Sequence, residues 1–101
     1  MQTLLCRSPE GLEGNFSHKS DIWSLGAVLH FACTHMHTFR SPDNDIESIE
    51  HNIKKKTIDP LPNELYSAEL DALINWMLEK NPNDRPTAKQ IFEEIIIQRV
   101  L

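Results

Sequence analysis

An all-α fold is what this sequence predicts, and three observations predict it. Apolar residues recur at helical spacing in four stretches, proline-marked breaks separate those stretches, and no run alternates apolar with polar side chains as a half-buried strand would.

The opening, residues 1–19, reads as irregular, because Ser8-Pro9-Glu10, Gly11 and Gly14 are poor material for a helix interior. The first helix runs from about Ser20 to Thr34, with Ser20 as N-cap and Asp21 at the positive end of the helix dipole. Its Ile22, Trp23, Leu25, Ala27, Val28, Leu29, Phe31, Ala32 and Cys33 leave almost no polar face. A helix apolar all round has to be wrapped on all sides, and 101 residues barely supply the elements to do it.

The second helix is expected from about Pro42 to Lys55, opened by Ser41 as N-cap and Pro42 at the first helical position. Ile46, Ile49 and Ile53 give it a narrow apolar stripe. Thr57-Ile58-Asp59-Pro60-Leu61-Pro62 breaks it, each proline biasing its predecessor toward extended backbone. The third helix, about Ser67 to Glu79, carries Leu70, Leu73, Ile74, Met77 and Leu78 in the pattern of a half-buried helix, and Asn81-Pro82 stops it. In the fourth, from Thr87 to about Arg99, Thr87-Ala88-Lys89-Gln90 reads as a capping box and Ala88, Ile91, Phe92, Ile95 and Ile96 form a broad apolar face.

A formal net charge of −5, with 40% hydrophobic and 25% charged residues, fits a globular domain or part of one. It argues against a nucleic-acid binder, which needs a basic face for phosphate contacts. The one basic run, Lys54 to Lys56, reads as a solvated helix end. No apolar stretch approaches the ~20 residues that span a bilayer, and the first residues are too short in apolar content for a signal peptide. Two cysteines, Cys6 and Cys33, make no disulfide framework, so a reducing, intracellular and cytoplasmic setting is expected. Cys33, His35 and His37, with His30 nearby, carry no paired Cys-x-x-Cys to complete a zinc set, and no metal site is expected.

Three clusters then fall in order along the chain. Ser8-Pro9-Glu10 resembles the Ala-Pro-Glu motif that closes the activation segment of protein kinases, Asp21-Ile22-Trp23-Ser24-Leu25-Gly26 resembles the Asp-x-Trp-Ser-x-Gly start of their central helix, and Asn81-Pro82-Asn83-Asp84-Arg85-Pro86 resembles the Asn-Pro-x-x-Arg-Pro element before their last helix. Within the kinases the chain is most similar to the NIMA-related group, through Ser17-His18-Lys19-Ser20-Asp21, Cys33-Thr34-His35-Met36-His37-Thr38-Phe39 and Ile97-Gln98-Arg99-Val100-Leu101.

The resemblance implies a partial kinase fold: residues 1–19 as the end of the activation segment and its following loop, residues 20–101 as helices of the C-terminal lobe. Residues 20–34, including Trp23, would be the lobe's buried central helix, with Asp21 accepting hydrogen bonds from the catalytic-loop backbone. Val28 and Ala32 match anchors of an apolar column beneath the adenine site. Glu10 and Arg85 would form the buried ion pair that fixes the end of the activation segment, a task suited to the planar, bidentate arginine fork. Thr3 matches a substrate-pocket threonine of the serine/threonine-specific members. The sequence departs from the family pattern around it: Gln2 stands where Gly is usual, Leu4 where Pro is common, Cys6 where an aromatic is usual, and Phe31 where many members carry Glu.

Phosphoryl transfer needs a phosphate cradle, a lysine on the phosphates, an aspartate for magnesium and an aspartate near the attacking hydroxyl. The three glycines, Gly11, Gly14 and Gly26, give no G-x-G-x-x-G, and neither His-Arg-Asp nor Asp-Phe-Gly occurs. ATP and magnesium are therefore expected of the intact family domain, and no catalytic, cofactor or metal residue is expected in these 101. Two readings stay open: a piece of a serine/threonine kinase, inactive alone, or a non-catalytic helical interaction module. Either would meet the rest of a kinase domain, or another protein, through the apolar surface of the central helix; neither nucleic acid nor membrane is an expected partner.

Overall fold

The structure, a computed structural model, describes residues 2–98. Its helices are α1 (Gln2–Leu5), α2 (His18–Thr34), α3 (Ile46–Lys55), α4 (Ala68–Met77) and α5 (Ala88–Gln98), with 3-10 turns at Glu10–Glu13 and Pro82–Asp84. Among the described residues there is no strand. The opening is more ordered than its composition suggests, since α1 and the Glu10–Glu13 turn lie within it. Gly14 ends that turn at φ 85°, a left-handed conformation in which a side chain would be strained.

Two helix starts differ from the sequence reading. The α2 N-cap is Ser17: its Oγ accepts from Lys19 N–H at 3.2 Å, and Ser20, inside the first turn, returns the favour by accepting from Ser17 N–H at 3.1 Å. Ser20 is therefore the reciprocal partner of the cap. The α3 N-cap is Asp45, whose Oδ2 accepts from Ser48 N–H at 3.3 Å. Ser41-Pro42-Asp43-Asn44 forms a turn instead of a first helical turn: Asn44 N–H donates to the Ser41 carbonyl at 2.9 Å, and Asn44 takes a left-handed φ of 50°. Asparagine tolerates that conformation, and it ends any helix begun at Pro42. Ser67 caps α4 by accepting from Leu70 N–H at 3.1 Å, and the Thr87–Gln90 capping box forms as the sequence predicts, through Gln90 N–H to Thr87 Oγ1 at 3.1 Å and Thr87 N–H to Gln90 Oε1 at 2.8 Å.

α4 packs directly on α2. At Gly26 the backbones come so close that a Cβ would lie 2.9 Å from Met77 Cβ and 3.2 Å from Leu78 Cγ, so only glycine fits. Around this contact Trp23, Ala27, Phe39, Ile49, Ile53, Leu61, Ile74 and Leu78 form the main core. The molecule measures 39 × 31 × 19 Å, and two helices of ~10 Å diameter fill its thinnest dimension. A helix in such a slab has one covered side and one open side. Thus α2 buries Ile22, Trp23, Gly26, Ala27 and His30 but exposes Leu25, Val28 and Phe31. The expected all-round wrapping is not met among the described residues. α5 is also largely open, with Phe92, Ile96 and Ile97 exposed, and Ile46 of the α3 stripe faces out while Ile49 and Ile53 are fully buried.

Candidate functional site

Glu10 and Arg85 meet at the end of α2. Arg85 Nη1 donates to Glu10 Oε2 at 2.7 Å and Nη2 donates to Oε1 at 2.8 Å, a bidentate pair. The Arg85 side chain is fully buried, and its remaining donors are used by the carbonyls of Glu79 (2.7 Å), Lys19 (2.9 Å) and Lys80 (3.1 Å). A buried guanidinium needs this saturation, because each unpaired donor would forfeit its hydration. Ser20 Oγ–H donates to Glu10 Oε2 at 2.8 Å, so the residue of the capping box also holds the carboxylate. Burial by itself would raise the Glu10 pKa; the hydrogen bonds from Arg85 and Ser20 and the Arg85 charge outweigh it and lower it to about 2.

Trp23 lies under this pair. Its ring is fully buried, stacks on Phe39 at 5.2 Å, and carries Arg85 Cζ 4.9 Å above its face. The Trp23 Nε1–H is buried without an acceptor among the described residues. Lys19, within the Ser17–Asp21 stretch, ties α2 to the Asn81–Pro86 element: its Nζ donates to the Arg85 carbonyl at 2.7 Å. Ser24 Oγ–H donates to the Cys6 carbonyl at 2.8 Å and fastens the opening segment to α2. Sequence reasoning missed both roles, though both residues sit inside motifs it singled out.

Asp21 is exposed, has no salt bridge among the described residues, and lines a cleft with Cys6, Arg7, Ser8 and Phe16. The structure brings it to the surface beside the opening segment. Thr3 lies on α1, and its side chain is outside those described. Val28 and Ala32 are exposed, on the open side of α2. Phe31 stacks on His37 at 4.4 Å.

His30 is a core residue. Its Nε2–H donates to the Asp59 carbonyl at 2.8 Å, and its Nδ1 is hydrogen-bonded with Thr38 Oγ1 at 2.6 Å. Both ring nitrogens are thereby used, and among the described residues no three His, Cys, Asp or Glu side chains converge on a metal position. These residues do not fit a magnesium–nucleotide site, and no step of phosphoryl transfer is assigned to them. Among the described residues, no helix is long and apolar enough to cross a membrane.

A helical lobe built on α2, buried along one side, and closed by a carboxylate–arginine pair defines a class, and the comparison with protein families agrees: residues 1–96 match the protein kinase domain, and the chain belongs to that family. Its relatives include NIMA-related serine/threonine kinases. It is 35% identical over 86 residues to the serine/threonine-protein kinase Nek6 of Oryza sativa subsp. japonica, covering 85% of this chain and 16% of that protein. It is 36% identical over 94 residues to Nek7 of Arabidopsis thaliana, covering 92% of this chain and 16% of the relative. It is 41% identical over 73 residues to Nek3 of Mus musculus, covering 72% and 14% respectively. The chain thus spans no more than about a sixth of the length of these relatives.

Proposed function

We propose that this chain serves as the C-terminal helical part of a serine/threonine kinase domain, anchoring the segment that ends at Glu10, while the transfer of the ATP γ-phosphate to protein Ser or Thr depends on groups outside these 101 residues. The observation that carries the reading is the Glu10–Arg85 pair, which fixes the opening segment to the element before α5 by hydrogen bonds of 2.7 and 2.8 Å. ATP and magnesium belong, on this reading, to the intact domain. The 101-residue chain alone is inactive, because phosphoryl transfer rests on positioning and electrostatics that no partial set of groups supplies.

The open side of α2 supports the accompanying partner assignment. Leu25, Val28 and Phe31 form an exposed apolar strip, and the relatives possess most of their length outside the matched region. The remainder of a kinase domain is the occupant we assign to it; another protein would take the same surface if the chain acts as a non-catalytic module. Titration of magnesium–ATP into the purified chain by calorimetry is expected to give no saturable heat. Saturable, magnesium-dependent binding would overturn the proposal of inactivity.

A further inference from the structure

We propose that the cleft between the ends of α3 and α4 is a docking site for a short acidic peptide bearing an apolar side chain. Lys54, Lys55 and Lys56 at the end of α3 and Lys80 just beyond α4 line one cleft of about 310 Å³ together with Ile58 and Leu78. Ile58 and Leu78 both belong to or pack on the main core, so they supply an apolar floor beneath a basic rim. One carboxylate, Glu79, also lines it. A cleft with this lining stands out on a chain whose net charge is −5.

Lysines at a helix C-terminus ordinarily serve the helix dipole, and here that role is already taken. Lys80 Nζ donates to the Ile53 carbonyl at 2.7 Å and lies 4.6 Å above the Phe39 ring and 5.2 Å above the Trp23 ring. Lys56 N–H closes on the Asn52 carbonyl at 2.9 Å, and Lys56 Nζ donates to the Thr38 carbonyl at 2.7 Å. Lys56 Nζ also lies 3.7 Å from Asp59 Oδ2, whereas Lys54 and Lys55 are exposed, and neither they nor Lys80 has a salt bridge among the described residues. The cleft therefore carries an excess of positive charge, with Glu79 in its lining and Asp59 beside Lys56 as the nearby carboxylates. Burial first, and then the charges of Lys56 and Arg85, lower the Lys80 pKa to about 8. Carboxylates spaced along a peptide answer the exposed Lys54 and Lys55, and an apolar residue between them answers Ile58 and Leu78. This chemistry gives specificity through charge and packing together.

The test uses a fluorescein-labelled hexapeptide alternating glutamate with leucine, and its glutamine counterpart, in anisotropy titrations of the chain. Saturable binding of the glutamate peptide alone is expected, weakening with salt. Lys54→Glu with Lys55→Glu should weaken it about tenfold or more, while Lys89→Glu on α5, an equal charge change per site elsewhere, should leave it within about twofold. Lys54→Gln with Lys55→Gln, which avoids charge reversal at the helix end, should give an intermediate loss. Bound peptide should also move the Lys80 titration upward from about 8 in an NMR experiment on the ε-carbon, since Glu carboxylates would join Lys54, Lys55, Lys56, Glu79 and Arg85 around it. Equal binding of both peptides, binding unaffected by the double reversal, or an unmoved Lys80 titration would each overturn the assignment. Displacement by pyrophosphate at the peptide's own concentration would also overturn it, by revealing a site for simple anions.

Discussion

Arg85 and Glu10 face each other fork to fork although 75 positions of chain separate them. The contact joins the first described loop to the element before the last helix, and both arms of the guanidinium are engaged, at 2.7 and 2.8 Å. Because Arg85 is fully buried and Glu10 is 14% exposed, neither partner could recover its hydration if the other were removed.

Glu10→Ala and Arg85→Ala are each expected to destabilise the fold by about 3 kcal/mol, since each leaves a buried, unpaired charge. The double variant should cost clearly less than the sum of the two, because both remove one shared interaction. Urea denaturation of the four proteins measures the coupling, and strict additivity would mean that the residues act independently.

The same pair predicts acid sensitivity with a definite sign. The Glu10 pKa is lowered from 4.5 to about 2 in the folded state, so the unfolded state binds more protons between these values. The contribution is complete above about 4.5 and is lost as pH falls toward 2. Glu10→Gln should remove this part of the pH dependence; an unaltered acid limb in that variant would refute the assignment.

Lys80 predicts a slope at the other end. Its folded pKa lies at about 8, below the ordinary 10.5, so the unfolded chain binds more protons between these values and stability contributed by this group rises with pH across them. Relative to Lys80→Met, the parent chain should gain stability between pH 8 and 10.5. Paired denaturation curves near the two ends of that interval would show it, and parallel curves would contradict it.

Gly26→Ala sets helix propensity against packing. Alanine favours a helix interior by about 1 kcal/mol, but its Cβ would sit 2.9 Å from Met77 Cβ, between two packed helices. Overpacking of this kind costs about 1–3 kcal/mol, and the net effect should be destabilising. A rise in thermal midpoint would show that α2 and α4 can separate freely.

The open side of α2 predicts self-association. Leu25 is 46% exposed, Val28 51% and Phe31 39%, and contiguous apolar surface of this kind finds a partner. Sedimentation of the chain should reveal oligomers, with dye binding to apolar surface, and Val28→Glu should shift the distribution toward monomer while retaining helical circular dichroism. A clean monomer with a sharp thermal transition and no dye binding would favour a self-sufficient module.

Much of this protein is local, and the sequence by itself determined that part. Helical periodicity located four of the five α-helices, because a repeat near 3.6 residues is imposed by one covered face. The Thr87–Gln90 capping box was legible because a cap is satisfied within three residues of itself. Glu10 and Arg85 could be paired in advance only through their motifs, since no local rule links positions so distant. The tertiary structure alone decided which side of α2 is covered: periodicity shows that the helix is apolar all round, not how many neighbours reach it. The start of α3 is local too, and there two local signals competed: Asn44 at φ 50° and the Asp45 cap on Ser48 N–H prevailed over Ser41-Pro42. Lys80, finally, reads in sequence as one more charge; only the packing of α3 against Trp23 and Phe39 gives its ammonium two ring faces and a helix-end carbonyl.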